Sequence, residues 1–151
     1  MGVNEPLSEQ QKLEVAQTCV HFNLKRSVRA VTQQFDAALA ESGLHITQFT
    51  LLITSSLVGA VPVSELAEAL TLDRTTLTRN LKPLEQKGWI KTTTSAADAR
   101  VRLVEITALG ETIIARSYPL WQRVQEEVTR AFGREPYAAF LDRLRQLNTQ
   151  P

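Results

Sequence analysis

The chain has 151 residues, 43% of them hydrophobic, which fits one globular domain with a substantial core and excludes a disordered tail. It contains no run of about 18 apolar residues and begins with the polar stretch MGVNEPLSEQ, so we predict neither a membrane span nor a secretory signal and expect a cytoplasmic protein. The net charge is only +1, which by itself does not indicate a nucleic-acid partner. The chain has only two histidines and one cysteine, and no Ser, His and acidic residues at a spacing typical of a catalytic triad, so we expect no enzyme activity and no cofactor.

A long first helix is predicted from about Ser8 to Ser42. Apolar residues recur along it at spacings of 4, 3, 4 and 3, forming a heptad-like seam of Leu24, Val28, Val31, Phe35 and Ala38. A small monomer would struggle to cover so long a seam. The sequence therefore predicts a partner helix on this side.

Two shorter helices are predicted next. The first covers 47–57, with Thr47 as its N-cap and a core side formed by Phe49, Leu52 and Ile53. The second lies in VPVSELAEAL at 61–70, with Ser64 as its N-cap and a buried side formed by Leu66, Ala67 and Leu70. Only two residues then separate it from the next helical pattern.

The segment DRTTLTRNLKPLEQKG, from Asp73 to Gly88, predicts a helix with two different sides. At about 100° per residue, its leucines fall within roughly 60° of one another and can be buried; they are Leu77, Leu81 and Leu84. The opposite side gathers side chains that can donate to phosphates and base edges, namely Thr75, Thr78, Arg79, Lys82 and Gln86. Asp73 suits the N-cap, Gly88 suits the C′ position, and Pro83 should bend the axis.

A β-hairpin is predicted after this helix. WIKTTTS and VRLVEIT are β-branched runs, and the intervening AADAR places Asp98 and Arg100 near the tip. The stretch 71–102 holds seven basic residues against three acids, whereas 30–73 holds no Lys or Arg, so positive charge is concentrated here. A short helix, a turn, a two-sided helix and a hairpin together predict a winged helix-turn-helix.

The order LTLDRTTLTRNLKPLEQKGWI, then D-A-R at 98–100 and I-T-A-L-G at 106–110, resembles the MarR family of bacterial transcription regulators, over nearly the whole chain. The resemblance implies that helix 73–88 enters the major groove of DNA. It also implies that the wing lies along the minor groove, with Arg100 making the contact and Asp98 helping to hold it. The predicted DNA-binding residues are Arg74, Thr75, Thr76, Thr78, Arg79, Lys82, Asp98 and Arg100. Arg74 is equally compatible with pairing to a carboxylate, and Lys87, Lys91 and Arg102 with simple solvation.

Helical patterns cover 108–132, capped by Thr107, and 135–147. Pro119 should kink the first of them near Tyr118, and Pro136 fits a first-turn position of the second. The predicted class is mainly α with a small β-hairpin: a winged helix-turn-helix over 47–107, flanked by dimerisation helices at 1–46 and 108–151. A twofold dimer requires two half-sites, so we expect a palindromic operator with centres roughly 10 base pairs apart.

Two regulatory inputs are possible, a small-molecule effector and a thiol switch. The resemblance implies a small-molecule effector that binds where the terminal helices meet the winged helix, with His21, His45 and Phe49 as candidate lining residues by location. A thiol switch would use Cys19, although aligning RAVT at 29–32 with peroxide-sensing relatives places their reactive cysteine at His21. A metal site at Cys19 and His21 is disfavoured, because two side chains two residues apart on a helix diverge by about 200°. The remaining alternative is a winged helix that binds proteins and never contacts DNA.

Overall fold

The structure is a computed structural model that describes residues 6–148. In chain order its elements are α1 (Glu9–Thr18), α2 (Val20–Leu39), a 3-10 turn (Ala40–Ser42), α3 (Ile46–Val58), β1 (Val61–Pro62), α4 (Val63–Ala69), α5 (Arg74–Gln86), β2 (Ile90–Thr94), β3 (Arg102–Ile106), α6 (Ala108–Phe132) and α7 (Arg134–Asn148). This is the predicted mainly helical class with a small antiparallel sheet. The chain divides into two compact units, one ending at Gln34 and the other beginning at Phe35.

The first unit contains α1 and most of α2, and the prediction of one unbroken first helix is wrong at Cys19. Cys19 has an extended backbone, with φ −61° and ψ 112°, and ends α1. The Asn23 side-chain amide donates to the carbonyl oxygens of Gln17 and Cys19, both at 3.0 Å. This amide gives the Gln17 carbonyl the partner that a continuous helix would have supplied. A local side chain therefore stabilises the break.

The predicted seam on α2 changes character along its length. Val28 and Val31 are 63% and 38% exposed, whereas Phe35 is 6% exposed. Exposed branched apolar residues at heptad spacing are typical of a surface that a partner helix covers.

The core of the second unit lies between α3, α4, α5, the sheet and the start of α6. Its least exposed side chains include Leu52, Leu66, Leu77, Leu84, Ile90 and Val104. The buried sides predicted for the shorter helices are confirmed for Phe49, Leu52, Leu66 and Ala67, while Ile53 and Leu70 are half-buried against the same core.

The sheet has three antiparallel strands in the order β1-β3-β2. β2 and β3 form the predicted hairpin, with Ile90 opposite Ile106 and Thr94 opposite Arg102. β1 was not predicted; Val61 and Pro62 add a two-residue strand to the other edge of β3. Because α4 begins directly after it, Pro62 takes the N-cap position, and the predicted Ser64 cap is wrong.

His45, and not the predicted Thr47, occupies the N-cap of α3. The His45 backbone N–H donates to Gln48 Oε1 at 3.1 Å, and the Ile46 N–H donates to Asp36 Oδ1 at 2.7 Å. His45 Nδ1 lies 3.6 Å from Asp36 Oδ2. The carboxylate of Asp36, ten residues upstream, therefore satisfies a free amide at the start of α3, which a search for local caps could not find.

The two C-terminal helices follow the sequence prediction closely, and α6 stays helical through Pro119. Near their junction Gln125 Nε2 donates to Tyr137 Oη at 2.6 Å. The Phe132 ring stacks on Phe140 at 5.2 Å between centroids. These contacts fix the turn between α6 and α7.

Gly110 lies where the start of α6 meets the base of the hairpin. Thr107 caps α6 by accepting from the Gly110 N–H at 3.1 Å, while its hydroxyl donates to the Gly88 carbonyl at 2.6 Å. A Cβ on Gly110 would overlap the Trp89 carbonyl oxygen and come within 2.6 Å of Ile106 Cγ1. The close approach therefore requires glycine.

We expect Gly110→Ala to lower the free energy of unfolding by about 1–3 kcal/mol, because backbone atoms must move to admit the methyl group. Equilibrium urea unfolding at fixed protein concentration measures this. Ala115→Gly, at an exposed site of the same helix, is the control: it should lower the free energy of unfolding by about 1 kcal/mol, because alanine is ordinarily preferred to glycine in a helix. Stabilisation by Gly110→Ala would show that the junction is not tightly packed.

Candidate nucleic-acid interface

Helix α5 begins with the predicted Asp73 cap. Asp73 Oδ1 accepts from the Thr76 N–H at 2.9 Å, and Oδ2 accepts from the Thr76 hydroxyl at 2.6 Å. The Thr76 hydroxyl, followed by its amide, lowers the pKa of Asp73 below its ordinary value. A carboxylate with a lowered folded-state pKa stabilises the fold above its unfolded-state pKa, and this stabilisation is lost as the pH falls through the lowered value. The cap is therefore intact at neutral pH.

The two sides of α5 are separated as predicted. Leu77 and Leu84 have no exposed area, and Leu81 is 6% exposed. The polar side chains that face solvent include Arg74, Thr75, Thr78, Arg79 and Lys82, followed by Glu85 and the predicted Gln86 at the end of the helix. Thr76 is only half exposed and its hydroxyl is engaged in the cap, so the structure gives it a structural role beside the predicted DNA contact.

The turn between α4 and α5 has a fixed shape. The Leu72 N–H donates to the Ala67 carbonyl at 2.9 Å, and Thr71 has a φ of +53°, in the left-handed region that residues other than glycine rarely adopt. Leu70 and Leu72 on either side of Thr71 are half-buried. Packing therefore holds the turn, and with it the angle between the two helices.

We call β2, β3 and the connecting residues 95–101 the wing. At its tip Asp98 Oδ1 accepts from the Arg100 N–H at 2.9 Å, and the Asp98 carbonyl accepts from the Val101 N–H at 3.0 Å. These bonds close a tight turn that leaves Arg100 exposed. Asp98 thus shapes the tip on which Arg100 lies, and the roles of both residues at DNA stay predictions.

The basic side chains of this region differ in how they are held. Lys91 pairs with Glu105 at 2.8 Å across the hairpin. Lys87 donates to the Gly43 carbonyl at 3.0 Å and lies 4.3 Å from the centre of the Trp89 ring, so it is more than a solvated charge. Within residues 6–148 no ion pair engages the other basic side chains of the region, which are Arg74, Arg79, Lys82, Arg100 and Arg102.

The residues predicted for effector or redox roles lie in different environments. Phe49 is buried and stacks on Trp121 at 6.2 Å between centroids, so it packs in the core instead of lining an open surface. His45 is exposed at the α3 cap, and His21 is exposed on α2. Cys19 is a free, half-buried cysteine at the helix break. These roles stay predictions.

Two further features concern the described part of the chain alone. Residues 6–148 contain no group of three His, Cys, Asp or Glu side chains that could hold a metal ion. No helix among the same residues is long and apolar enough to cross a membrane.

Comparison with known proteins identifies the family. A model described as the MarR family matches residues 44–101. The uncharacterized HTH-type transcriptional regulator YwoH of Bacillus subtilis is 26% identical over 117 residues, covering 78% of this chain and 85% of YwoH. The multiple antibiotic resistance protein MarR of Escherichia coli is 33% identical over 112 residues, covering 71% of this chain and 78% of that protein. The chain belongs to the MarR family.

Solved structures agree with this membership. The transcriptional regulator MosR of M. tuberculosis, in a complex with DNA, has a TM-score of 0.72 and 35% identity, over 87% of this chain and 99% of MosR. The predictions of a MarR-family winged helix, of a transcription regulator and of a protein that is not an enzyme are thereby confirmed. The matched segment 44–101 runs from the start of α3 to the wing tip, so it contains α5 and the basic side chains named above except Arg102.

Proposed function

We propose that this MarR-family protein is a homodimeric repressor that binds a palindromic operator in the cytoplasm and leaves it when a small-molecule effector binds. The observation that carries the proposal is the outward side of α5, whose arginines and lysine stand beside the wing without an ion-pairing acid among the described residues. MosR, which is 35% identical, is found in a complex with DNA.

The outward side of α5 supplies base and phosphate contacts. In the proposed complex the helix lies in the major groove, which is about 12 Å wide and admits one helix. Arg79 can donate two parallel hydrogen bonds to the O6 and N7 atoms of guanine, while Thr75 and Thr78 contact phosphates or base edges. Lys82 adds a point charge toward the backbone. Arg100 on the wing enters the adjacent minor groove, where the potential is most negative in narrow segments.

A second copy of the chain supplies the twofold symmetry. Apolar side chains stay exposed on both sets of terminal helices: Leu13, Val15, Val28 and Val31 on α1 and α2, and Phe132, Phe140 and Leu147 on α6 and α7. We assign dimerisation to 1–46 and 108–151 and DNA binding to 47–107. An isologous interface presents two copies of α5 to the same duplex, so the half-sites are related by a dyad.

Release of the operator requires a ligand that binds preferentially to one spacing of the two α5 helices in the dimer. A ligand with equal affinity for both states shifts nothing, so the effector must bind better to the dimer whose helices are wrongly spaced for the operator. His21, His45 and Phe49 remain the residues predicted for effector binding, and Cys19 is the candidate residue of the alternative thiol switch.

Selection of bound fragments from the host genome tests the proposal. The dimeric protein is expected to enrich fragments that share an approximate palindrome with half-site centres about 10 base pairs apart. Binding should weaken steeply as salt rises, because displaced counterions drive much of the affinity. Failure to enrich any sequence, or a weak shift that salt does not alter, would favour a winged helix that binds proteins.

The wing contact has its own test. We expect Arg100→Ala to weaken binding about tenfold at every site without changing the unfolding midpoint, because the side chain is exposed and its charge meets the duplex through the minor groove. Gel shifts with the selected site and with a random duplex measure this. Arg123→Ala on α6 is the matched exposed control, and equal affinities for the two variants would exclude the wing contact.

A further inference from the structure

We infer that the cleft between α5 and the wing is a phosphate-binding site in which Arg74 and Arg102 hold the DNA strand that separates the two contacted grooves. The inference rests on the proposed function and adds Arg102, which lies outside the residues expected to contact DNA. It also decides between the two roles open to Arg74 in favour of a phosphate contact.

One wall of the cleft is a single row on α5. Arg74, Thr78 and Lys82 are spaced by four residues and line the same opening, so they lie one above another along the helix. Glu85 continues the row and is the one carboxylate that lines the opening. The helix thus offers two cations and a hydroxyl-bearing residue before this acid is reached.

The other wall is the sheet side of the wing. Val104 is buried, and Thr92 stands directly opposite it in the β2–β3 ladder, so both side chains project from the same sheet face. Arg102 is two residues from Val104 along β3 and therefore projects from this face too. Near the wing tip this sheet face no longer packs on the core, and Arg102 lines the same opening as Arg74.

A narrower recess continues the cleft toward the wing tip. It has a volume of about 130 Å³ and is lined by Ser64, Arg74, Arg100 and Arg102 together with Pro62, Val63 and Val101. No Asp or Glu belongs to this lining. Three guanidinium groups around one recess repel one another unless an anion lies between them, and none of the three forms an ion pair within residues 6–148.

The geometry of a duplex supplies that anion. If α5 occupies the major groove and the wing enters the neighbouring minor groove, the sugar-phosphate strand between these grooves must pass between α5 and the wing. Its phosphates then enter the cleft lined by Arg74 and Arg102. A guanidinium can donate two parallel hydrogen bonds to a phosphate, so it orients the phosphate as well as attracting its charge. These two arginines therefore position the duplex and do not read its sequence.

The test compares Arg102→Gln and Arg74→Gln with Arg123→Gln, an exposed arginine of α6 outside the cleft. Because α6 lies in the region assigned to dimerisation, sedimentation first checks that all three variants are dimeric. The probes are the duplex selected from the genome and a random-sequence duplex of the same length. We expect each cleft variant to lose about tenfold in affinity for both duplexes. The fall of log K with log salt should become less steep by about 1 for each cleft variant, whereas Arg123→Gln changes neither quantity. Arg102→Lys should recover the slope but only part of the affinity.

A methylphosphonate scan locates the contact. Replacing one phosphate at a time with a neutral methylphosphonate should weaken wild-type binding at the strand between the contacted grooves, and Arg102→Gln should be insensitive to the replacement at that same phosphate. Unchanged affinity and slope for both cleft variants, with normal wild-type binding, would overturn the inference and leave the proposed function standing. Absence of wild-type binding would instead reject the proposed function.

Discussion

Replacing Arg79 with alanine is expected to weaken operator binding by about 1–3 kcal/mol, a loss of roughly five- to 150-fold, while the protein stays folded and dimeric. Arg79 is exposed on the side of α5 opposite the leucines, and no ion pair within residues 6–148 engages it. Its removal deletes a donor to a base edge but no packing contact of the core. The loss should also relax sequence preference at one position of each half-site.

Titration of labelled operator with the variant measures this effect, with circular dichroism and sedimentation as checks on fold and dimer. Arg123→Ala, at an exposed position of α6 and shown by the same sedimentation to stay dimeric, is the matched control. If Arg79 reads a base, the variant should lose less affinity for a random duplex than for the operator. An operator affinity equal to that of the wild type would show that Arg79 does not contact a base of the operator.

Replacing Leu77 with alanine is expected to have the opposite profile, lowering the free energy of unfolding by about 2–5 kcal/mol. Leu77 has no exposed area and packs in the cluster formed by α3, α4, α5 and the sheet. Shortening it removes buried methyl groups and leaves a cavity that the neighbouring leucines can fill only in part. No outward side chain of α5 changes, so the folded fraction should retain its operator affinity.

Urea unfolding at fixed protein concentration gives the loss of stability, and operator titration at low temperature gives the affinity of the folded dimer. Gln86→Ala, at an exposed position of α5, is the control for stability and should change the unfolding free energy by about 0.5 kcal/mol at most. A Leu77→Ala protein as stable as the wild type would mean that the leucine side of α5 is not the packed side. The division of the helix would then be wrong.

Together the two variants test whether stability and recognition reside on opposite sides of one helix. Arg79→Ala should alter affinity alone, and Leu77→Ala should alter stability alone. A variant that altered both to the same degree would indicate that the outward side chains also hold the fold.

Features that depend on neighbours along the chain could be predicted from the sequence. The two-sided pattern of α5, the Asp73 cap and the boundaries of α6 were all predictable, because helical periodicity and capping act within about one or two turns. The β2–β3 hairpin was predictable for the same reason, since its strands are adjacent in sequence.

Contacts between residues that are distant in the sequence could not be predicted from local patterns. β1 is only two residues long and is a strand because it pairs with the free edge of β3, so no periodic pattern in the sequence could predict it. The α3 cap uses the Asp36 carboxylate from ten residues upstream, and Lys87 bonds to the carbonyl of Gly43. The meeting of Arg74 and Arg102 in one cleft is of the same kind. Such pairings depend on how packed elements place side chains, and local propensity carries no information about them.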